Sequence, residues 1–89
     1  MIRVMLADDS EVIRTYIKEA LEKEGDIQVI KECSTGIEAE MEYEKEKYDV
    51  VLMDIEMADN EDGIRAADVI LSSDNDAVIL YLTSHDSDE

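Results

Sequence analysis

Four side chains in this sequence have the types and spacing to do chemistry together: the carboxylates of Asp8, Asp9 and Asp54, and the hydroxyl of Thr83. Each follows a short apolar run. Ile2-Arg3-Val4-Met5-Leu6-Ala7 leads into Asp8-Asp9, Asp49-Val50-Val51-Leu52-Met53 into Asp54, and Ala77-Val78-Ile79-Leu80-Tyr81-Leu82 into Thr83. Short β-branched runs of this kind read as buried parallel strands. In open α/β sheets, ligands bind outside the carboxyl ends of such strands. Three carboxylates on that edge crowd negative charge, and the natural remedy is a hard divalent cation with oxygen ligands. A cation there can hold a phosphoryl oxygen. An Asp carboxylate can then act as nucleophile and form an aspartyl phosphate, with Thr83 donating a hydrogen bond to the transferred group. Such catalysis depends on positioning and charge neutralisation more than on covalent chemistry. The competing reading of the same residues is helix capping and turn formation at strand ends.

The elements that must position these groups alternate. After a first strand over residues 2–7, Val12, Ile13, Tyr16, Ile17, Ala20 and Leu21 recur at helical spacing. Ser10 suits the N-cap, Glu11 the first turn, and Gly25 the stop. Residues 27–31 read as an outer strand. Thr35-Gly36-Ile37-Glu38 fits a capping box opening a second helix. Ile37, Met41 and Tyr48 are expected to be buried there, with Glu42–Lys45 and Glu44–Lys47 pairs on its solvated face. Residues 49–54 form the third strand and 56–62 a loop. A third helix spans Gly63 to Leu71, with Ile64, Ala67, Ile70 and Leu71 inward. Residues 72–76 make a turn, and 77–82 the fourth strand. The order βαβαβαβ with short connections predicts a parallel sheet with right-handed crossovers.

Eighty-nine residues allow one domain, 1–89, with one modest core. The chain has no Pro, Trp or Phe and four Tyr, so an aliphatic core is expected, with Met5, Met41, Met53 and Met57 as filler. A single cysteine, Cys33, excludes an internal disulfide, fits a reducing compartment and reads as a small buried residue. No run is long enough to span a membrane, and the N-terminus lacks a secretory design, which predicts a cytoplasmic protein. The net charge of -17, from 25 acidic and 8 basic residues, argues against direct nucleic-acid binding and against an anionic membrane surface. The regular apolar runs oppose disorder, with fraying expected after about Ser84. His85 reads as an exposed residue of a polar tail.

Taken together, Val4-Met5-Leu6-Ala7-Asp8-Asp9-Ser10, Val51-Leu52-Met53-Asp54-Ile55-Glu56-Met57, Asp62-Gly63 and Leu82-Thr83-Ser84 resemble a bacterial two-component response regulator receiver domain. The resemblance covers nearly the whole chain. It implies a flavodoxin-like α/β fold, strand order 2-1-3-4, in which the fifth strand and last helices of the family are absent. The order itself comes from the resemblance, since the sequence shows only the alternation. The resemblance further implies that Asp54 is the phosphoacceptor and that Asp9 is a direct Mg²⁺ ligand, with Asp8 contributing directly or through water. The backbone carbonyl of Glu56 is implied as a third protein ligand, and Thr83 as the switch hydroxyl. The donor would be a phosphohistidine on a sensor histidine kinase. Phosphotransfer catalysed by the domain itself would be accessory to signalling, so the chain is not expected to be an enzyme in the ordinary sense. Gly25-Asp26-Ile27-Gln28-Val29-Ile30 with Thr35-Gly36-Ile37-Glu38-Ala39 resembles the subgroup that carries a helix-turn-helix output, a module not found in these residues.

Three departures from the family pattern stand out. Met57-Ala58 replaces Met-Pro, and Asp59, Asn60 and Glu61 make the loop before Asp62-Gly63 one residue longer. No Lys follows Lys47, so the family's catalytic Lys is not present, and the nearest basic residue in the second half is Arg65. Loss of one charge-assisted contact to a transferring phosphoryl group predicts slower transfer, by roughly 10²-fold or more. Two function classes follow: a phosphoacceptor module working through Asp54, or a truncated receiver-like assembly module that does not switch. In either, the fourth strand is expected to be a sheet edge, so that the chain either joins a homodimer through it or is poorly folded as a monomer.

Overall fold

A computed structural model describes residues 1–55, 57 and 62–82. The elements are β1 (Ile2–Ala7), α1 (Glu11–Glu22), β2 (Ile27–Cys33), α2 (Gly36–Lys45), β3 (Val50–Asp54), α3 (Asp62–Ser73) and β4 (Ile79–Leu82). The four strands are parallel, in the order β2-β1-β3-β4. This is the flavodoxin-like arrangement expected of the resemblance. Glu56, Thr83 and His85, and the tail after Ser84, lie outside the described residues.

Strand alternation gives the sheet two apolar faces. On one, Met5, Ala7, Cys33, Val51 and Met53 pack with Ala39 and Tyr43 of α2 and Ala66 and Ile70 of α3. On the other, Val4, Leu6, Val29 and Leu52 meet Ile17 and Leu21 of α1. One irregularity changes the pattern. Val4 pairs with Val29 but Met5 pairs with Lys31, so Ile30 is an extra residue in β2. Such a bulge reverses the facing of everything after it. Cys33, an even number of residues from Val29, therefore joins the opposite face.

Helix starts follow local chemistry. Ser10 Oγ accepts from the Ile13 N–H at 3.2 Å, and Thr35 Oγ1 from Glu38 N–H at 3.1 Å. Glu38, however, does not close a capping box on Thr35. Its carboxylate accepts from Ser34 N–H at 2.8 Å, one residue earlier. Gly25, at φ +87, turns the chain after α1 in the left-handed region.

Several inward residues differ from expectation. No residue of α1 is fully buried, because α1 packs chiefly against β2; Val12 and Tyr16 are 78% and 73% exposed. In α2, Gly36, Ala39 and Tyr43 are buried while Ile37 and Met41 are exposed. In α3, Gly63, Ala66, Ala67 and Ile70 are buried while Ile64 and Leu71 face outward. The α2–α3 contact sets both phases, since it admits small residues where the backbones come close. The α3 helix also starts one residue earlier and runs two residues further than expected. β2 gains Glu32 and Cys33, and β4 begins only at Ile79 because Ala77 N–H is used in a turn to Asp74.

The core is not purely aliphatic. Tyr43 and Tyr48 are buried with ring centroids 6.2 Å apart. The Tyr43 hydroxyl donates to Asp74 Oδ2 at 2.6 Å, and the Arg3 guanidinium lies 5.2 Å from the Tyr48 ring centroid. The Glu42–Lys45 pair forms at 3.5 Å, but Lys47 reaches Asp74 at 3.7 Å instead of Glu44.

Candidate metal centre at the sheet edge

Asp8 follows the last residue of β1, and Asp54 is the last residue of β3. Parallel, adjacent strands bring these ends together. Carboxylate oxygens of Asp8, Asp9 and Asp54 all lie within 4.8 Å of one another. Asp8 and Asp54 are buried and Asp9 is exposed. The arrangement is a cup with two walls in protein and one side open to solvent.

Asp8 is held on several sides. Its N–H donates to Cys33 O at 2.9 Å, continuing the β1–β2 ladder one residue past the strand. Its Oδ1 accepts from Ser10 N–H at 2.9 Å, a turn that aims the chain into α1. Its carbonyl oxygen accepts from Arg14 Nη1 at 2.7 Å, and Arg14 Nε donates to Glu32 at 3.0 Å.

The Asp54 side is fixed by backbone approach. The N–H of Gly63 donates to Ile55 O at 3.1 Å, and Ile55 N–H to Leu82 O at 3.2 Å. A Cβ on Gly63 would stand 1.9 Å from Asp54 O, so only glycine lets α3 begin here. Gly36 plays the same part for α2: a Cβ there would meet Asp62 Oδ1 at 2.7 Å and Asp62 O at 2.8 Å. Buried Asp62 accepts from Gly36 N–H at 2.8 Å and sits 3.6 Å from Arg65. The first turns of α2 and α3 are thereby tied to each other and to the strand carrying Asp54.

The donor set suits a hard cation. Three carboxylates offer oxygen only, with no sulfur or imidazole, the chemistry that favours Mg²⁺, Ca²⁺ or Mn²⁺. Three ionised carboxylates this close repel one another, and a divalent cation between them removes that cost. Cys33 lies behind the cup, but burial, with Glu38 and Glu42 adding to it, pushes its thiol up to about 12. It is a core thiol rather than a ligand or nucleophile.

The structure thus brings together Asp8, Asp9 and Asp54 from the sequence-predicted set, while Glu56 and Thr83 lie outside the described residues. Asp62-Gly63 was visible as a motif, although not the backbone contact that demands it. Arg14 was not singled out. It lies six residues after Asp8 within a helix, and nothing in the helical spacing distinguishes it from an ordinary solvated cation.

Comparison with known proteins places the chain firmly. Residues 4–89 match the family described as "Response regulator receiver domain". The chain is 33% identical over 87 residues to the oxygen regulatory protein NreC of Staphylococcus carnosus, covering 98% of this chain and 40% of that protein. It therefore spans well under half the length of that curated relative. Among solved structures, it is similar to a LuxR-family two-component response regulator from Aurantimonas sp. SI85-9A1 at 30% identity and a TM-score of 0.89. That match covers 97% of this chain and 61% of the other. It is also similar to the response regulator domain of Thermotoga maritima CheB, at 32% identity and a TM-score of 0.86, covering 94% of this chain and 61% of the other.

Proposed function

The chain belongs to the response regulator receiver domain family of two-component systems, and on that footing we propose that it accepts a phosphoryl group on Asp54 from a phosphohistidine of a sensor histidine kinase, in a Mg²⁺-dependent transfer. The observation that supports this reading is the convergence of Asp8, Asp9 and Asp54 within 4.8 Å at the carboxyl ends of β1 and β3. Asp8, Asp9 and Asp54 would hold the cation, with the carbonyl of Glu56 as a further ligand. When bound, Mg²⁺ supplies charge neutralisation for the phosphoryl oxygens. An Asp54 carboxylate oxygen forms the new bond to phosphorus as the phosphorus–nitrogen bond to the kinase histidine breaks, and the electron pair of that bond stays on the imidazole nitrogen. Burial of Asp54 excludes water from one side of the acyl phosphate. Thr83 follows β4, the strand beside the one bearing Asp54, and would donate its hydroxyl to the transferred group.

The partner is a kinase domain on the cytoplasmic side. No helix among the described residues is long and apolar enough to cross a membrane. A net charge of -17 repels a nucleic-acid backbone. A homodimer through β4 is a second partnership: the strand lies at an edge of the sheet, with Val78, Leu80 and Tyr81 about half exposed. Intact-mass measurement after incubation with acetyl phosphate and Mg²⁺ tests the main reading. One added phosphoryl group is expected in the parent and none in Asp54→Ala or in EDTA. No addition to the parent would favour an assembly module that does not switch.

A further inference from the structure

Arg14 is the cation built into the wall of the acidic cup. Its guanidinium makes two directed contacts in different elements. Nη1 donates to the carbonyl of Asp8 at 2.7 Å, and Nε pairs with Glu32 of β2 at 3.0 Å. The side chain is 16% exposed, less than Arg3, Lys18, Lys31, Lys45, Lys47 or Arg65 in their ion pairs. The N–H of Asp8 is already spent on Cys33 O in the same strand. Both backbone groups of Asp8 are therefore anchored to the end of β2, one directly and one through Arg14.

We infer that Arg14 is a positioning residue for the divalent cation: it fixes the Asp8–Asp9 corner so that both carboxylates face Asp54. This rests on the metal site proposed above. The geometry of the chain makes the corner a weak point without such a clamp. Asp8 and Asp9 lie between the end of β1 and the start of α1, turned by the Ser10 N–H bond to Asp8 Oδ1, and among the described residues no backbone–backbone bond holds the peptide joining them. Exposed Asp9 has little packing of its own, so its direction follows that of the Asp8 carbonyl. A planar guanidinium suits the task, because its donors diverge at fixed angles to two acceptors that a single ammonium cannot serve equally well.

The sign of the change in affinity separates positioning from plain electrostatics. A cation beside a Mg²⁺ site repels the metal, so removing Arg14 should tighten binding if charge alone matters. If Arg14 positions the ligands, removing it should weaken binding although the protein becomes more negative. Outer-shell partners of metal ligands typically contribute 10–100-fold to affinity. The test is Mg²⁺ titration by calorimetry at fixed ionic strength on the parent, Arg14→Met and Arg14→Lys, with urea unfolding in EDTA run alongside. Arg14→Met is expected to bind Mg²⁺ roughly tenfold more weakly than the parent. Arg14→Lys, which keeps the charge but loses the fork, is expected to lose affinity too. Unchanged or tighter binding in folded Arg14→Met overturns the inference. Should that variant fail to fold, Arg14→Lys decides, and parental affinity there overturns it. A parent that binds no Mg²⁺, or binds it equally well as Asp9→Asn, overturns the metal site itself and the inference with it.

Discussion

The two faces of the sheet are written in the same apolar alphabet and end in different states. Met5, Ala7, Val51 and Met53 lie under α2 and α3 and are fully buried. Their neighbours Val4, Leu6 and Leu52 point the other way, toward α1, and are buried as well, but Val4 and Leu52 border an open apolar groove of about 180 Å³ shared with Ile2, Leu21, Ile27, Val50 and Leu80. Both faces hold buried cores; they differ in coverage, one being closed by α2 and α3 and the other by α1. The covered face also carries the site's supports, since the first turns of α2 and α3 meet through Gly36, Asp62 and Gly63 and brace the strand bearing Asp54. On the other side, the Asp8–Asp9 corner leads into α1, a helix that leaves Val12 and Tyr16 in solvent.

Substitutions sharpen this contrast. Ile70→Ala, on the covered face, removes a side chain 1% exposed and should destabilise the fold by about 2–5 kcal/mol in urea unfolding. Val12→Ala on α1 should stay within about 0.5 kcal/mol of the parent. Equal losses at the two positions would show that α1 is covered in solution.

Gly63→Ala forces a methyl group toward the Asp54 carbonyl, and relief requires backbone movement at the start of α3. A loss of about 1–3 kcal/mol is expected, together with weaker Mg²⁺ binding, measured in the same way as for Arg14. Parental affinity at reduced stability would separate the α3 brace from the metal centre.

The buried tyrosines give the covered face an alkaline signature. Burial first, then Asp74 beside it, pushes the Tyr43 phenol up to about 12; burial and Glu46 do the same for Tyr48. A group whose folded pKa is raised stabilises fully below its unfolded value, here about 10. That contribution is lost as pH rises toward 12. Stability should therefore fall between about pH 10 and 12, and fall less steeply in Tyr43→Phe. The same change breaks the bond to Asp74, at a cost of about 1–3 kcal/mol at neutral pH. Asp74 sits below the usual carboxylate range because of that bond. Its stabilisation is present above about pH 3.8 and is lost as pH falls through its lower folded value, an acid sensitivity that Tyr43→Phe should diminish.

The smallest effect on folding and a distinct effect on assembly are expected at Leu80, which is 53% exposed. At concentrations low enough for the parent to be monomeric, Leu80→Lys should leave the unfolding midpoint nearly unchanged. In sedimentation runs, the parent should show a dimer that strengthens with added salt, as screening reduces repulsion between chains of charge -17, and Leu80→Lys should remain monomeric. A parent that is monomeric at every salt concentration removes the β4 dimer.

Local chemistry was readable without the fold. Ser10 and Thr35 cap helices because a side-chain oxygen reaches a backbone donor three residues on, a contact that needs no distant partner. Strand runs, their order along the chain and the acids that close them were legible for the same reason. The parallel alternation was enough to bring Asp8, Asp9 and Asp54 to one edge.

Tertiary structure decided what depends on partners far apart in the chain. Ile37 and Met41 look as apolar as any core residue, yet Ala39 and Tyr43 are buried, because α2 must approach α3 closely at Gly36. Cys33 changes faces because Ile30 bulges out of register against β1. Arg14 becomes part of the site because Asp8, just past β1, and Glu32 of β2 converge on it. In each case the sequence supplies a residue compatible with several roles. The role is selected by packing and hydrogen bonding across distances that no local pattern encodes.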